Sequence, residues 1–206
     1  MTIGIFGFGD FGQLLVKHLA NRAEVVVYDR NQSKTKEITE LGAKPVSLKE
    51  AAAGDVVILA VNLDVLESTL EQIASHLKPG TLVVDVTSVK LKPVEMMKRL
   101  VPANCQILAT HPLFGPQTAS RSLAGHKIVV DPIRVDDIES IERFLTDMEL
   151  EVVHMTADEH DHEMAWVHAL TFFVGRGLLN MNPPRSPLAT NYYKELLDVV
   201  NVEQQQ

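Results

Sequence analysis

The chain is poor in cysteine, in positive charge and in long apolar segments. Its 206 residues include one cysteine, Cys105, which excludes a disulfide within one copy and suits a reducing compartment. Acidic residues outnumber basic ones and give a formal charge of −8, which disfavours nucleic-acid phosphates and anionic membrane surfaces as partners. No apolar run approaches the roughly 18 residues that span a bilayer. We therefore expect neither a nucleic-acid-binding protein nor a membrane protein.

The start of the chain shows no targeting segment. Strand-like residues begin at Thr2, which leaves no room for a signal peptide, so we expect a cytoplasmic protein. No internal repeat is visible, and the length suits one medium domain with a small extension.

The first residues read as a short apolar strand, a glycine turn and a helix start. Gly7, Gly9 and Gly12 have the G-x-G-x-x-G spacing. The first permits a tight turn, the second lets a pyrophosphate approach the main chain, and the third lets the helix pack on the strand. The free N–H groups of the helix start also suit phosphate. We predict dinucleotide binding, with a purely structural glycine turn as the alternative.

A second predicted strand, Val25–Tyr28, ends at an acidic residue. Asp29 follows Gly7 at about the 20-residue offset expected for an acid on the adenosine ribose. Its carboxylate would accept both ribose hydroxyls and repel a 2′-phosphate, which favours NAD. Arg30 keeps NADP open, because arginine can stack on adenine or pair with a phosphate. The alternative for Arg30 is a solvated loop residue.

Strand-like runs alternate with helical patterns over the first 155 residues. This alternation predicts an α/β protein with a Rossmann-type, doubly wound, mostly parallel sheet. From Thr156 we expect a long helix to about Leu179, a proline-rich break and a final helix over residues 191–202. The chain thus divides into a dinucleotide-binding domain, residues 1–155, and a short helical extension, residues 156–206.

Small and polar residues follow the predicted strands, and ligands bind at the carboxyl ends of parallel strands. Asn62 and Thr87 each come just after such a strand. The candidate cofactor-binding residues are Gly7, Phe8, Gly9, Asp10, Phe11, Gly12, Asp29, Arg30, Asn62 and Thr87.

Two residues are candidates for catalysis. His111 follows the predicted strand Gln106–Thr110, and histidine is the usual side chain for moving a proton near neutral pH. A structural histidine is the alternative. Ser88 can hydrogen-bond a substrate hydroxyl, or it can cap the following helix. The candidate substrate-binding residues are Ser88, His111, Gly115, His168, Thr171 and Arg176.

The segment around His160 and His162 resembles a metal cluster, but these side chains diverge on a helix and no i,i+4 histidine pair is present. We therefore predict no metal site. Nearby Trp166, Phe172 and Phe173 are expected to pack against the sheet, because large apolar side chains are usually buried.

Four segments in this order resemble the prephenate/arogenate dehydrogenases of tyrosine biosynthesis. They are G-F-G-D-F-G-Q (Gly7–Gln13), D-V-T-S-V-K (Asp85–Lys90), H-P-L-F-G-P (His111–Pro116) and E-H-D-H-E-M-A (Glu159–Ala165). Val174–Arg176, with Ser186–Pro187 and Tyr192–Leu197, is most similar to the arogenate-type branch. The resemblance covers nearly the whole chain.

The resemblance implies oxidative decarboxylation of a small anionic cyclohexadienyl acid, prephenate or arogenate. A hydride passes from the hydroxyl-bearing ring carbon to the nicotinamide, and loss of CO₂ makes the ring aromatic. It also implies that His111 accepts the hydroxyl proton and that Ser88 holds the same hydroxyl.

Relatives of this family continue with further helices, which build an intertwined homodimer and complete the substrate pocket. This chain ends soon after Leu197, so we expect a shortened form of that region. Relatives also commonly carry a histidine near Thr171 or Phe172, where this chain has none. Arg176 could bind a substrate carboxylate through two hydrogen bonds, with a packing role as the alternative.

Two other functions remain open at this point. One is a different small nicotinamide oxidoreductase, similar to the F420-dependent NADP reductases. The other is a non-catalytic relative that binds NAD. The T-S-V-K and H-P-L-F-G-P segments favour the dehydrogenase over the first of these.

Overall fold

The computed structural model describes residues 1–204, with side chains through residue 198. The chain divides into two compact units, Met1–Asp158 and Glu159–Gln206. The boundary predicted from sequence lies between residues 155 and 156, and the observed division falls between 158 and 159.

The first unit is built on an eight-stranded sheet with the order β3-β2-β1-β4-β5-β6-β7-β8. The strands are β1 Thr2–Phe6, β2 Glu24–Tyr28, β3 Lys44–Pro45, β4 Val56–Leu59, β5 Leu82–Asp85, β6 Gln106–Pro112, β7 Lys127–Arg134 and β8 Glu151–His154. The order reverses between β1 and β4, which lie side by side and parallel. A crevice opens at such a reversal, beyond the carboxyl ends of the strands.

Residues 1–204 also contain ten α-helices. They are α1 Asp10–Leu19, α2 Thr35–Glu40, α3 Leu48–Ala52, α4 Leu63–Ile73, α5 Leu91–Leu100, α6 Pro116–Ala119, α7 Ile138–Asp147, α8 Ala157–Met164, α9 Leu170–Met181 and α10 Asn191–Gln204. None of these described helices is both long enough and apolar enough to cross a membrane.

Helices cover both faces of the sheet, as the doubly wound prediction requires. Apolar residues of α1 and α7 pack with one face in a cluster around Ile5 and Val84. Those of α3, α4 and α5 pack with the other face, around Val57 and Ile107. The predicted Rossmann-type, mostly parallel fold is confirmed.

Among the described strands, β6 and β7 form the antiparallel pair, and sequence analysis did not locate it. A parallel neighbour needs a crossover connection, which is usually a full helix. Between β6 and β7 the chain forms only the four-residue helix α6, so it returns along the sheet in the opposite direction. As a result, β6 extends beyond its predicted end at Thr110 to Pro112.

The long helix predicted after Thr156 is interrupted. A π-helical segment, Ala165–Ala169, separates α8 from α9. The helix α9 ends at Met181, and Asn182 adopts a left-handed conformation just before the prolines. The predicted final helix is confirmed as α10.

One side chain joins three elements of the first unit. Arg134, at the end of β7, donates from Nε to the Cys105 carbonyl at 2.7 Å and from Nη2 to the Pro102 carbonyl at 2.8 Å. The same Nη2 lies 3.2 Å from the Val101 carbonyl at the end of α5. Carbonyls at a helix end lack partners within the helix, so a cation there is stabilising.

We expect Arg134→Met to lower the free energy of unfolding by about 2 kcal/mol, because partly buried carbonyls lose charged hydrogen-bond donors. Urea denaturation measures this change. Arg22→Met is the matched control, since Arg22 is exposed, and its effect should stay within about 0.5 kcal/mol. Equal losses in the two variants would mean that the charge matters and the three contacts do not.

Candidate functional site

The glycine turn and the start of α1 fit together without room for side chains. Gly7 has φ +96°, and a Cβ there would lie 2.3 Å from the Ala60 carbonyl oxygen. A Cβ on Gly12 would lie 2.2 Å from the Gly7 carbonyl oxygen. A Cβ on Gly9, in contrast, would have no atom within 4 Å. Two glycines are therefore needed for close packing, and Gly9 leaves open space at the start of the helix.

The peptide group of Phe8 is held on both sides. The Phe8 N–H donates to Asp29 Oδ2 at 2.7 Å, and Lys34 Nζ donates to the Phe8 carbonyl at 2.7 Å. Lys34 Nζ also lies 3.8 Å from Asp29 Oδ2, while Asp29 Oδ1 accepts the Asn31 N–H at 2.8 Å. Asp29 thus stabilises the glycine turn as well as facing the crevice.

The structure changes the role of one predicted cofactor residue and adds a residue that was not predicted. The Phe8 side chain is fully buried in the core, so this residue can contact a ligand only through its main chain. Lys34 was missed by sequence reasoning. It lies 26 residues from Phe8 along the chain, and no spacing rule connects a lysine at that position to the turn.

The first of two adjoining clefts lies beside the glycine turn. This first cleft has a volume of about 270 Å³. Its lining includes Gly7, Gly9, Asp29, Arg30, Lys34 and Asn62. It therefore brings together five of the predicted cofactor residues and adds Lys34.

The second cleft has a volume of about 430 Å³. Its lining includes Phe11, Asn62, Thr87, Ser88, His111 and Phe114. The two clefts share the residues that follow β4, from Ala60 to Asn62. They therefore meet at the crevice between β1 and β4, with the glycine turn on one side and His111 on the other.

His111 lies inside β6, not after it as predicted. It is the next-to-last residue of the strand, opposite Val129 of β7, and it is 7% exposed. The antiparallel partner explains the error, because pairing with β7 lengthens β6 past Thr110. Strand pairing fixes the main chain of His111 and burial restricts its side chain, which suits a group that must be aligned with a substrate.

The residues around Ser88 form the loop between β5 and α5. Ser88 is exposed, and α5 begins at Leu91 with Lys90 at its N-cap, so the helix-cap alternative for Ser88 is wrong. Thr87 is bound to Asp85 through its N–H and hydroxyl group. The predicted substrate residue Gly115 is the N-cap of α6 and is not among the residues that line the second cleft.

The remaining predicted substrate residues belong to the second unit. His168 lies in the π-helical segment and stacks on Phe172, with ring centroids 4.4 Å apart. The Thr171 hydroxyl donates to the Val167 carbonyl at 2.7 Å, and Arg176 is exposed.

The prediction that the aromatic residues of this region pack against the sheet is wrong for two of them. Trp166 is 65% exposed and Phe173 is 77% exposed. Sequence reasoning assumed burial from residue type alone, and residue type does not distinguish a core from an exposed apolar surface.

His160 is buried and paired with its neighbour. Its Nδ1 lies 2.8 Å from Asp161 Oδ1. Among the residues that the structure describes, no three histidine, cysteine or acidic side chains are grouped so that they could hold a metal ion.

Comparison with known families gives one domain match. The family model described as the prephenate dehydrogenase nucleotide-binding domain matches residues 13–154.

Curated relatives support the same assignment over nearly all of this chain. It is 33% identical over 212 residues to arogenate dehydrogenase 2, chloroplastic, of Arabidopsis thaliana. This alignment covers 97% of this chain and 59% of that protein. It is 31% identical over 182 residues to a probable arogenate/prephenate dehydrogenase of Methanocaldococcus jannaschii, covering 84% and 40%. The chain thus spans about three fifths or less of the length of these relatives.

Solved structures share the fold. Synechocystis arogenate dehydrogenase superposes with a TM-score of 0.76 at 22% identity, covering 97% of this chain and 78% of that one. Prephenate dehydrogenase from A. aeolicus, in complex with hydroxyphenyl propionate and NAD⁺, gives a TM-score of 0.77 at 19% identity with the same coverage.

Proposed function

The chain belongs to the prephenate dehydrogenase family, and on that premise we propose that it oxidatively decarboxylates prephenate or arogenate with a nicotinamide dinucleotide. The observation that carries the proposal is the pair of adjoining clefts, which meet at the β1–β4 crevice. One contains the glycine turn and Asp29, and the other contains His111 and Ser88. A cofactor that follows this path would bring its nicotinamide beside the imidazole.

The glycine turn fits a dinucleotide diphosphate. Gly9 leaves the space that a Cβ would fill, and α1 begins at the next residue with its unpaired N–H groups and positive dipole end. Asp29 faces the first cleft, where it would accept the ribose hydroxyls and favour NAD. Arg30 and Lys34 line the same cleft, so NADP binding is the alternative for this site. When bound, the nicotinamide accepts the hydride.

The second cleft supplies the acid–base chemistry. An imidazole nitrogen of His111 takes the proton of the substrate hydroxyl, while the hydride leaves the ring carbon that bears this hydroxyl. Ser88 orients that hydroxyl from the neighbouring loop. The ring carboxylate then leaves as CO₂, its bonding electrons make the ring aromatic, and the proton is returned to the phenol oxygen. The protein therefore supplies alignment and a base.

We further propose that the second unit associates with another copy of this chain. Its exposed apolar side chains are Trp166, Val167, Leu170, Phe173, Val174, Met181, Leu188, Tyr192 and Leu196. Apolar surface this dense on a small helical unit is typical of an interface. We also infer that the protein works in the cytoplasm, for which its single buried cysteine is the support.

We expect Gly12→Ala to weaken binding of NAD, the preferred dinucleotide, by about tenfold or more, because the added Cβ forces α1 away from the turn and removes N–H groups from the diphosphate. Calorimetry with NAD and with NADP measures the affinities. Gly177→Ala in α9 is the matched control, since its Cβ meets no atom within 4 Å. Unchanged affinity in Gly12→Ala would show that the diphosphate does not lie on this turn.

We expect His111→Asn to lower turnover of prephenate or arogenate by about 10²–10⁴-fold, because the base is lost, while NAD affinity stays within twofold of the wild type. Absorbance of the reduced nicotinamide follows turnover, and calorimetry follows binding. His154→Asn is the control, because His154 lies on β8 in contact with Glu142 and lines neither cleft. If NAD affinity collapsed with turnover in His111→Asn, His111 would be a structural residue.

We expect the wild-type chain to sediment as a dimer and Phe173→Asp to shift it towards the monomer, because a charge would be buried in an apolar contact. Asn180→Asp adds the same charge at another exposed position of α9 and should leave the dimer intact. Monomeric wild-type protein at all concentrations tested would remove the proposal of association.

A further inference from the structure

Two charged side chains are buried beneath the second cleft. Asp85, the last residue of β5, is fully buried, and Lys90, at the start of α5, is 1% exposed. Lys90 Nζ donates to Asp85 Oδ2 and to the Thr110 carbonyl. Burying charge is costly unless the charges are paired and hydrogen-bonded, and here they are both.

The second carboxylate oxygen of Asp85 binds the following loop. Oδ1 accepts the Thr87 N–H at 2.9 Å and the Thr87 hydroxyl at 2.6 Å. The Thr87 hydroxyl oxygen also lies 2.9 Å from the Val89 carbonyl. Asp85 is therefore attached to the loop at both ends, through Thr87 on one side of Ser88 and through Lys90 on the other.

The same network reaches the strand that carries His111. The Thr110 hydroxyl donates to the Asp85 main-chain carbonyl at 2.7 Å, and the Thr110 carbonyl accepts from Lys90. Thr110 immediately precedes His111 in β6. The pair thus connects the Ser88 loop to the main chain next to the imidazole.

We propose that Asp85 and Lys90 form a positioning pair, which holds Ser88 at a fixed position relative to His111. This inference rests on the proposed dehydrogenase reaction. Both side chains lie below the cleft and act through Thr87, Ser88 and the Thr110 main chain. Because both side chains are buried and bonded to each other, they can fix the distance between the end of β6 and the loop that carries Ser88.

Energetics separate this role from simple stabilisation. A buried ion pair is a poor source of stability, because an apolar pair of similar volume is often as stable or more so, whereas removal of one partner leaves an uncompensated buried charge. If the pair only stabilised the fold, replacing both residues together would restore both the thermal stability and kcat. If the pair positions the loop, the double replacement restores thermal stability but not the placement of Ser88 relative to His111, so kcat stays low.

The test compares Asp85→Asn, Lys90→Met and the double variant Asp85→Leu/Lys90→Met in the full chain. We expect the single variants to lose thermal stability and the double variant to regain most of it. The double variant should still show kcat reduced by about tenfold or more, since small misplacements of reacting groups are costly. Its NAD affinity should fall by a smaller factor than its kcat, because the diphosphate lies on a different loop, although the candidate cofactor residue Thr87 lies on this one.

Hydrogen exchange supplies a readout that is independent of turnover. Amides of residues 86–90 should exchange at least about fivefold faster in the double variant, because the loop has lost both tethers. Glu67→Leu/Arg99→Met is the matched control: it replaces an exposed ion pair outside both clefts and should change neither kcat nor this exchange.

Thr87→Val keeps the inference testable if the double variant does not fold. It leaves the ion pair and the Thr87 N–H bond to Asp85 intact and removes the hydroxyl contacts to Asp85 and to the Val89 carbonyl. It should speed exchange of the same amides with a smaller loss of kcat. The positioning role would be overturned if the double variant or Thr87→Val kept the wild-type kcat and the wild-type exchange rates of amides 86–90. If the wild-type chain turned over neither acid, the proposed function would fail, and the exchange measurement would still decide whether the pair fixes the loop.

Discussion

The close approach of α1 to the turn that precedes it is the constraint on which the rest of the site depends. No side chain fits between Gly12 and the Gly7 carbonyl, and none fits between Gly7 and the Ala60 carbonyl at the end of β4. The helix start is therefore fixed against two neighbouring strands at the point where the strand order reverses. Because both clefts share the residues after β4, this contact also sets their position relative to each other.

The two halves of the crevice are stabilised by separate polar networks. On the side of the glycine turn, Asp29 and Lys34 hold the Phe8 peptide group. On the side of His111, Asp85 and Lys90 hold the loop after β5. Each network joins a strand end to a loop that is proposed to contact ligand, and each buries or partly buries a carboxylate–ammonium pair. This separation is the physical reason to expect binding of a dinucleotide and alignment of a second substrate to respond to different substitutions.

Sequence analysis could find the glycine turn, Asp29 and the doubly wound sheet, because these depend on local spacing and on the alternation of strands and helices. It could not find the lengthened β6, since that depends on pairing with β7, or the role of Lys34, which reaches a carbonyl 26 residues away. The buried position of Phe8 was hidden for the same reason: the turn conformation, set by distant contacts, decides which way that side chain points. Family resemblance indicated His111 and Ser88. Asp85 and Lys90 begin and end one of its motifs, but the sequence does not show that their side chains pair.

Two properties proposed for the second unit fall on one helix. The exposed Phe173 and Val174 lie between Thr171 and Arg176, the candidate substrate residues of α9. Apolar side chains on a helix surface are stabilised when a partner covers them, and covering one side of α9 restricts the motion of the whole helix. Association with a second copy would therefore also order Arg176, whose long side chain loses conformational entropy when it binds a carboxylate. The proposed association and the proposed substrate recognition would consequently be linked through α9.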